Sequence, residues 1–147
     1  MTNSSAKYSP RDPLPSPYLP DGVYGLFHLP RLLEKLRRQA RGELEAYYQP
    51  TLGQGFDRML AEHLGRPWSV WAGIYRTGCE EWVEVAARLR RIIPAEVAAP
   101  VWNRRLVQRG LSGYGHFRLE RRKAQLGWQD REDIRTMIDL IEEVEGR

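Results

Sequence analysis

Residues 28–48, HLPRLLEKLRRQARGELEAYY, carry the clearest fold signal in this chain. Leucines at positions 29, 32, 33 and 36 recur at the spacing of a helix face that packs against a core. Pro30 suits the first turn of a helix, and Gly42 suits the left-handed residue that ends one. The sequence therefore predicts an amphipathic helix over residues 29–41.

The cations of this helix form the first candidate site. Arg31, Lys35 and Arg38 recur at intervals of four and three residues, which predicts a basic ridge on the outer face of the helix. Tyr47 and Tyr48 follow in the next turn. Together these side chains offer donors to an anionic ligand or to a carboxylate-rich protein partner. A solvated helix face without any ligand explains the same pattern, so both interpretations stay open.

The rest of the chain also favours helices, because no segment shows the alternating pattern of a strand. We expect an all-α fold, a single compact domain of five to seven helices with short connections. The further helices are predicted over about 54–64, around 68–75, from the capping box of Thr77 and Glu80 to Pro94, from there to Gly110, over 111–128, and from Asp130 onward. In the helix before Pro94, the side chains expected in the core include Trp82, Val85, Leu89 and Ile92.

The N-terminal residues 1–21 differ in composition from the rest, with prolines at positions 10, 13, 15, 17 and 20. Proline fixes φ and removes a backbone donor, so extended or polyproline-like chain is expected. We therefore divide the chain into a proline-rich arm, residues 1–21, and a helical domain, residues 22–147. The arm is either disordered or held across the domain by Tyr8, Tyr18 and Leu19.

A second basic segment suggests nucleic-acid binding as an alternative function. Aromatic side chains, among them Tyr114 and Phe117, are interleaved with its cations, as in surfaces that contact phosphates and stack on bases. The acidic segment from Asp130 to Arg147 could neutralise such a surface within the same molecule. The candidate phosphate-contacting residues are Arg104, Arg105, Arg118, Arg121, Arg122 and Lys123.

Composition limits the other function classes. The 147 residues carry a net charge of +4 and contain no apolar run long enough to span a bilayer, so we expect no membrane partner. The single cysteine, Cys79, and the lack of an apolar leader favour a cytoplasmic location. The three histidines, His28, His63 and His116, are isolated from one another in sequence, so we expect no metal site and no cofactor.

Enzymatic function is not favoured, because no catalytic motif is present. An enzyme acting on a small anionic substrate remains a further alternative. In that interpretation Arg31 or Lys35 would hold the anion, and Tyr47 or Tyr48 would donate a proton.

Several short motifs resemble the bacterial proteins of domain-of-unknown-function family 5069. They are Leu29-Pro30-Arg31, Glu34-Lys35, Gly42, Tyr47-Tyr48 and the segment 131–147, REDIRTMIDLIEEVEGR. The chain departs from the family pattern where Gln49-Pro50 replaces Asn-Cys-Pro, and where Pro100 falls in a continuous helix of the family. The resemblance implies a fold and no activity, so the function expected is that of a binding or regulatory module.

Overall fold

The computed structural model of the protein describes residues 13–147, and over this range it is built of α-helices without a strand. The predicted all-α fold with five to seven helices is confirmed. The helices are α1 (Leu29–Ala40), α2 (Phe56–His63), α3 (Trp68–Ala72), α4 (Trp82–Ile92), α5 (Ala99–Val107), α6 (Gly113–Gln125) and α7 (Met137–Val144). Within the same range, no helix is both long and apolar enough to cross a membrane.

The backbone contacts divide the described chain into two compact units. The first comprises Leu14–Trp102, and the second comprises Asn103–Arg147 together with Pro13. The boundary predicted at residue 21 stays a prediction, but the described part of the arm from Leu14 onward belongs to the first unit.

The core of the first unit forms around α1, as its leucine spacing predicts. Leu29, Leu32, Leu33 and Leu36 are all buried. Gly42 ends the helix with a φ of 70°, the left-handed conformation that glycine adopts without strain. Further buried side chains of this core come from the other helices of the unit and from the residues just after α2 and α3: Leu60, Ala61, Leu64, Trp71, Ile74, Val85, Leu89, Ile92 and Trp102.

The described part of the proline-rich arm contacts the rest of the first unit through Leu14, which is not one of the predicted anchors, and through Tyr18, which is. Leu14 is only 1% exposed. The Tyr18 ring is partly exposed but packs edge-on against Phe27, with centroids 6.3 Å apart, whereas Leu19 is exposed. Tyr8, the third predicted anchor, lies outside the described residues.

Two helices begin later than their capping signals predict. The predicted Thr77 and Glu80 pair forms, but the Glu80 carboxylate accepts the backbone N–H groups of Arg76, Thr77 and Gly78 and so holds a loop. Helix α4 therefore starts at Trp82, which is 51% exposed rather than in the core.

The last helix starts at Met137 rather than near Asp130. Thr136 and Asp139 form a capping box, in which each side chain accepts the other's backbone N–H at 3.0 to 3.1 Å. In the second unit the apolar core consists of Leu119, Ile134, Leu140 and Val144, with Leu126, Trp128 and Met137 packed against it.

Candidate functional site

The predicted basic ridge of α1 is not on the surface. Arg31, Lys35 and Arg38 are only 5%, 3% and 6% exposed. The expectation that these cations face solvent is therefore wrong. The physical reason is that each cation has an acceptor close by: Pro15 and Asp57, in other segments, accept from Arg31 and Lys35, and Glu34, on α1 itself, accepts from Arg38.

The acceptor for Lys35 is Asp57, in the first turn of α2. Lys35 Nζ donates to one carboxylate oxygen of Asp57 at 2.8 Å, and His28 Nε2 donates to the other at 2.7 Å. The backbone N–H of Gly53 also donates to this carboxylate, at 3.1 Å. Asp57 has no exposed side-chain area, so a single buried carboxylate joins α1, α2 and the loop between them. We call His28, Lys35 and Asp57 the buried triad.

Gly53 allows the loop to reach the triad. Its φ of 74° lies in the left-handed region, and a Cβ at this position would lie 2.7 Å from Cε2 of Trp68. Any larger residue would displace the Trp68 ring or withdraw the N–H from Asp57.

Burial decides the protonation of the triad. It lowers the pKa of His28 below its usual value, outweighing the opposite effect of the Asp57 carboxylate. Burial acts to raise the pKa of Asp57, but the hydrogen bond from His28 and the charge of Lys35 hold that pKa below its ordinary value. The triad at neutral pH is thus a Lys35–Asp57 ion pair with a neutral imidazole. Since the carboxylate accepts, Nε2 carries the imidazole proton and Nδ1 is an acceptor.

Two features set His28 apart. Its Nδ1 atom is buried and has no hydrogen-bond partner among residues 13–147. Its φ of 73° makes it the only non-glycine residue in that range with a left-handed backbone, which costs about 1–3 kcal/mol. No pattern in the sequence pointed to a contact between His28 and Asp57, because the two lie 29 positions apart and neither belongs to a motif.

The remaining residues of the first predicted site separate into two groups. The guanidinium of Arg31 lies 5.5 Å from the ring centroid of buried Tyr48, which packs edge-on against the exposed ring of Tyr47. Arg38 instead donates to Glu34 at 2.7 Å and lies 3.8 Å from Glu45. The structure brings Arg31, Tyr47 and Tyr48 together, and it gives Lys35 and Arg38 separate carboxylate partners.

The second predicted site is exposed, with one exception. Arg104, Arg105, Arg118, Arg121 and Arg122 all lie at the surface. Lys123, predicted with them, is buried and donates to the backbone oxygen of Ile134 at 3.2 Å, because it lies on the side of α6 that packs against the core. Its predicted contact with phosphate is therefore wrong.

Exposed aromatic side chains lie on α6 beside these arginines. Tyr114 and Phe117 are 68% and 60% exposed, and their rings stack with centroids 6.2 Å apart and planes 19° apart. The guanidinium of Arg118 lies 5.9 Å from the Tyr114 centroid. With Arg121 and Arg122 these residues recur at the three- and four-residue spacing of one helix face. We call these five residues the basic–aromatic face.

Carboxylates of the acidic C-terminal segment form ion pairs with arginines of that segment rather than with those of α6. Arg131 contacts Asp133 at 2.7 Å and Glu143 at 3.4 Å. Arg147 contacts Glu142 at 3.1 Å and Glu145 at 2.6 Å. Four of the carboxylates that could have neutralised α6 thus have cationic partners elsewhere in the second unit.

Comparison with known proteins identifies the family. Residues 11–147 match the family described as Domain of unknown function (DUF5069), so the chain belongs to that family and the resemblance seen in its motifs is confirmed. No curated protein and no solved structure gives a significant match.

Proposed function

We propose that this member of the DUF5069 family is a binding protein for single-stranded nucleic acid, contacted through the basic–aromatic face. The observation that carries the proposal is the pair of stacked, largely exposed rings of Tyr114 and Phe117 beside Arg118. Large apolar side chains grouped on a surface often mark a place where a partner binds.

The chemistry of this face suits an unpaired strand. Bases of a single strand can stack on exposed aromatic rings, and such stacking contributes about 1–3 kcal/mol per base. Arg121 and Arg122, one turn further along the helix, would contact the phosphates. In a duplex the bases are already stacked on one another, so the two rings would add little to its affinity.

The first predicted site supports a binding function less well. An anionic ligand or an acidic protein at Arg31, Lys35, Arg38, Tyr47 and Tyr48 would have to reach side chains of which four are buried. An acidic protein that binds the basic–aromatic face is the competing interpretation, and the variants of Tyr114 and Phe117 distinguish it from a single-stranded nucleic acid. The exposed, free thiol of Cys79 supports a reducing cytoplasm as the proposed location.

Fluorescence anisotropy with a labelled single strand of about 12 nucleotides, at ~50 mM salt, tests the proposal. We expect binding that weakens as salt rises, with a logarithmic slope of about −0.7 for each phosphate neutralised. The double variant Arg121→Gln/Arg122→Gln should weaken binding and reduce this slope. Its matched control, Arg90→Gln/Arg91→Gln, removes the same charge from exposed neighbouring arginines of α4 and should bind as the wild type does.

The aromatic variants separate the two kinds of partner. Tyr114→Ser and Phe117→Ser should each lower the affinity for the single strand roughly tenfold, because the loss of one stacked base corresponds to about 1–3 kcal/mol. Polyglutamate should compete poorly. Equal binding of polyglutamate, with no effect of either aromatic variant, would identify an acidic protein as the partner and overturn the proposal.

A further inference from the structure

The start of α1 is covered by the proline-rich segment. The backbone N–H of His28 donates to the carbonyl oxygen of Pro17 at 2.9 Å. The guanidinium of Arg31 donates through Nη1 to the carbonyl oxygen of Pro15 at 3.1 Å. Leu14, buried in the core, holds this segment in place. We call residues 14–17 the strap.

The first turn of α1 has the electrostatic character of an anion site. It contains no acidic side chain, and no side chain caps its backbone N–H groups. The start of this 12-residue helix carries the partial positive charge of the helix dipole, and the charge of Arg31 adds to it. The nearby negative charge of Asp57 is balanced by Lys35, at 2.8 Å.

His28 adds an independent observation that points to a ligand. Its side chain is almost completely buried, and Nδ1 lacks a hydrogen-bond partner among residues 13–147. An acceptor left unpaired in the interior is unfavourable by about 1–3 kcal/mol, so it favours a ligand that brings a proton to donate. Arg31 and the His28 N–H favour a ligand with acceptor oxygens. One chemical group supplies both.

We propose that the strap covers a binding site for a phosphate monoester at the start of α1, with the carbonyl oxygens of Pro15 and Pro17 taking the positions of phosphate oxygens. Arg31 and the backbone N–H of His28 donate to the phosphate, and a protonated phosphate oxygen donates to His28 Nδ1. The second pKa of a phosphate monoester is about 6, so near neutral pH its singly protonated form is available to make this bond. The ligand binds when the strap moves aside.

Isothermal titration calorimetry of the full chain at pH 7 tests the site, with inorganic phosphate as the probe and sulfate as the control anion. Sulfate has the same shape and no proton to donate. Leu14→Ala removes the buried anchor of the strap. We expect it to tighten phosphate binding by about tenfold or more, because truncating a buried leucine destabilises its packing by more than the 1.4 kcal/mol that corresponds to a tenfold change in affinity. The control Leu19→Ala truncates an exposed leucine of the same segment and should bind phosphate as the wild type does.

Further variants distinguish phosphate binding at this site from nonspecific attraction of anions to the protein. In the Leu14→Ala background, Arg31→Lys keeps the charge but loses the planar fork and should reverse the gain. Phosphate, but not sulfate, should shift the ¹⁵N resonance of His28 Nδ1. If circular dichroism shows that Leu14→Ala fails to fold, Pro15→Gly loosens the strap by raising the entropy of its detached state.

A folded strap variant that binds phosphate no better than the wild type would overturn the proposal. Equal affinities for phosphate and sulfate would overturn it too, because His28 would then contribute nothing. Neither result bears on the nucleic-acid proposal, which depends on α6 and is tested with its own variants.

Discussion

Helices α1 and α6 resemble each other in sequence and differ in what the structure does with their charge. Each combines several arginines with a lysine and a single glutamate, Glu34 in α1 and Glu120 in α6. In α1 the cations Arg31, Lys35 and Arg38 are buried. In α6 all the arginines are exposed, and only Lys123 is buried.

The role of a basic helix face therefore depends on which acceptors lie close to it in the folded chain. Asp57 reaches Lys35 from 22 residues away, and Pro15 reaches Arg31 from the N-terminal side. The charges of α1 are thus part of the internal structure of the first unit. Those of the basic–aromatic face are exposed at the surface of the second unit.

Breaking the buried triad should lower the free energy of unfolding more than any other change. Asp57→Asn leaves the Lys35 ammonium buried without its counter-charge, and we expect the free energy of unfolding to fall by about 3–5 kcal/mol. Urea denaturation followed by circular dichroism measures the loss. Asp133→Asn, which removes an exposed carboxylate paired with Arg131, is the control and should change stability little. A similar small change for Asp57→Asn would show that the triad is accessible to water.

A second variant removes both charges of the ion pair at once. Lys35→Met/Asp57→Leu leaves no uncompensated ion, so we expect it to be more stable than Asp57→Asn by about 1 kcal/mol or more. The same urea titration measures this difference. If the double variant were the less stable of the two, the loss would come from the contacts of His28 and Gly53 with Asp57 rather than from the stranded cation.

Acid should affect the first unit through His28. Its folded-state pKa is lowered, so the unfolded chain takes up a proton first, and stability that is fully present above about pH 6.5 is lost as the pH falls through the folded-state pKa. Asp57, whose pKa is also lowered, adds a further loss at more acidic pH, below about 3.8. Thermal unfolding at a series of pH values should show a flatter profile below pH 6.5 for His28→Asn, a residue that tolerates the left-handed backbone.

Substitutions on the exposed side of α6 should change the free energy of unfolding least. Arg121→Gln/Arg122→Gln removes two exposed charges that the fold does not use, so we expect its stability to stay within about 0.5 kcal/mol of the wild type. Urea denaturation of the variant used in the binding experiment measures this. A larger loss would mean that these arginines also serve the fold.

Local features of the fold were predictable from the sequence. The leucine spacing, Pro30 and Gly42 place α1 to within a residue of its observed end, because they act within one or two helical turns. The Thr77 and Glu80 signal was misleading, because the Glu80 carboxylate holds a loop instead of opening a helix.

The candidate sites were predictable only in part. Five of the six predicted cations of the second site are exposed, two on α5 and three on α6, but no local signal distinguished the buried Lys123 from them. The burial of Arg31 and Lys35 could not be predicted, because it depends on Pro15 and Asp57, which lie at least 16 residues from their partners. The role of His28 could not be predicted for the same reason, since Asp57 becomes its neighbour only after folding.

The three donors that converge on Asp57 also constrain how this protein can change over evolutionary time. An exchange at position 57 strands Lys35, and an exchange at position 35 leaves a carboxylate without its counter-ion. Replacing Gly53 displaces the indole ring beside it. Viable descendants should therefore alter these positions jointly or keep them all, whereas the exposed arginines of α6 can be exchanged one at a time without stranding a buried charge.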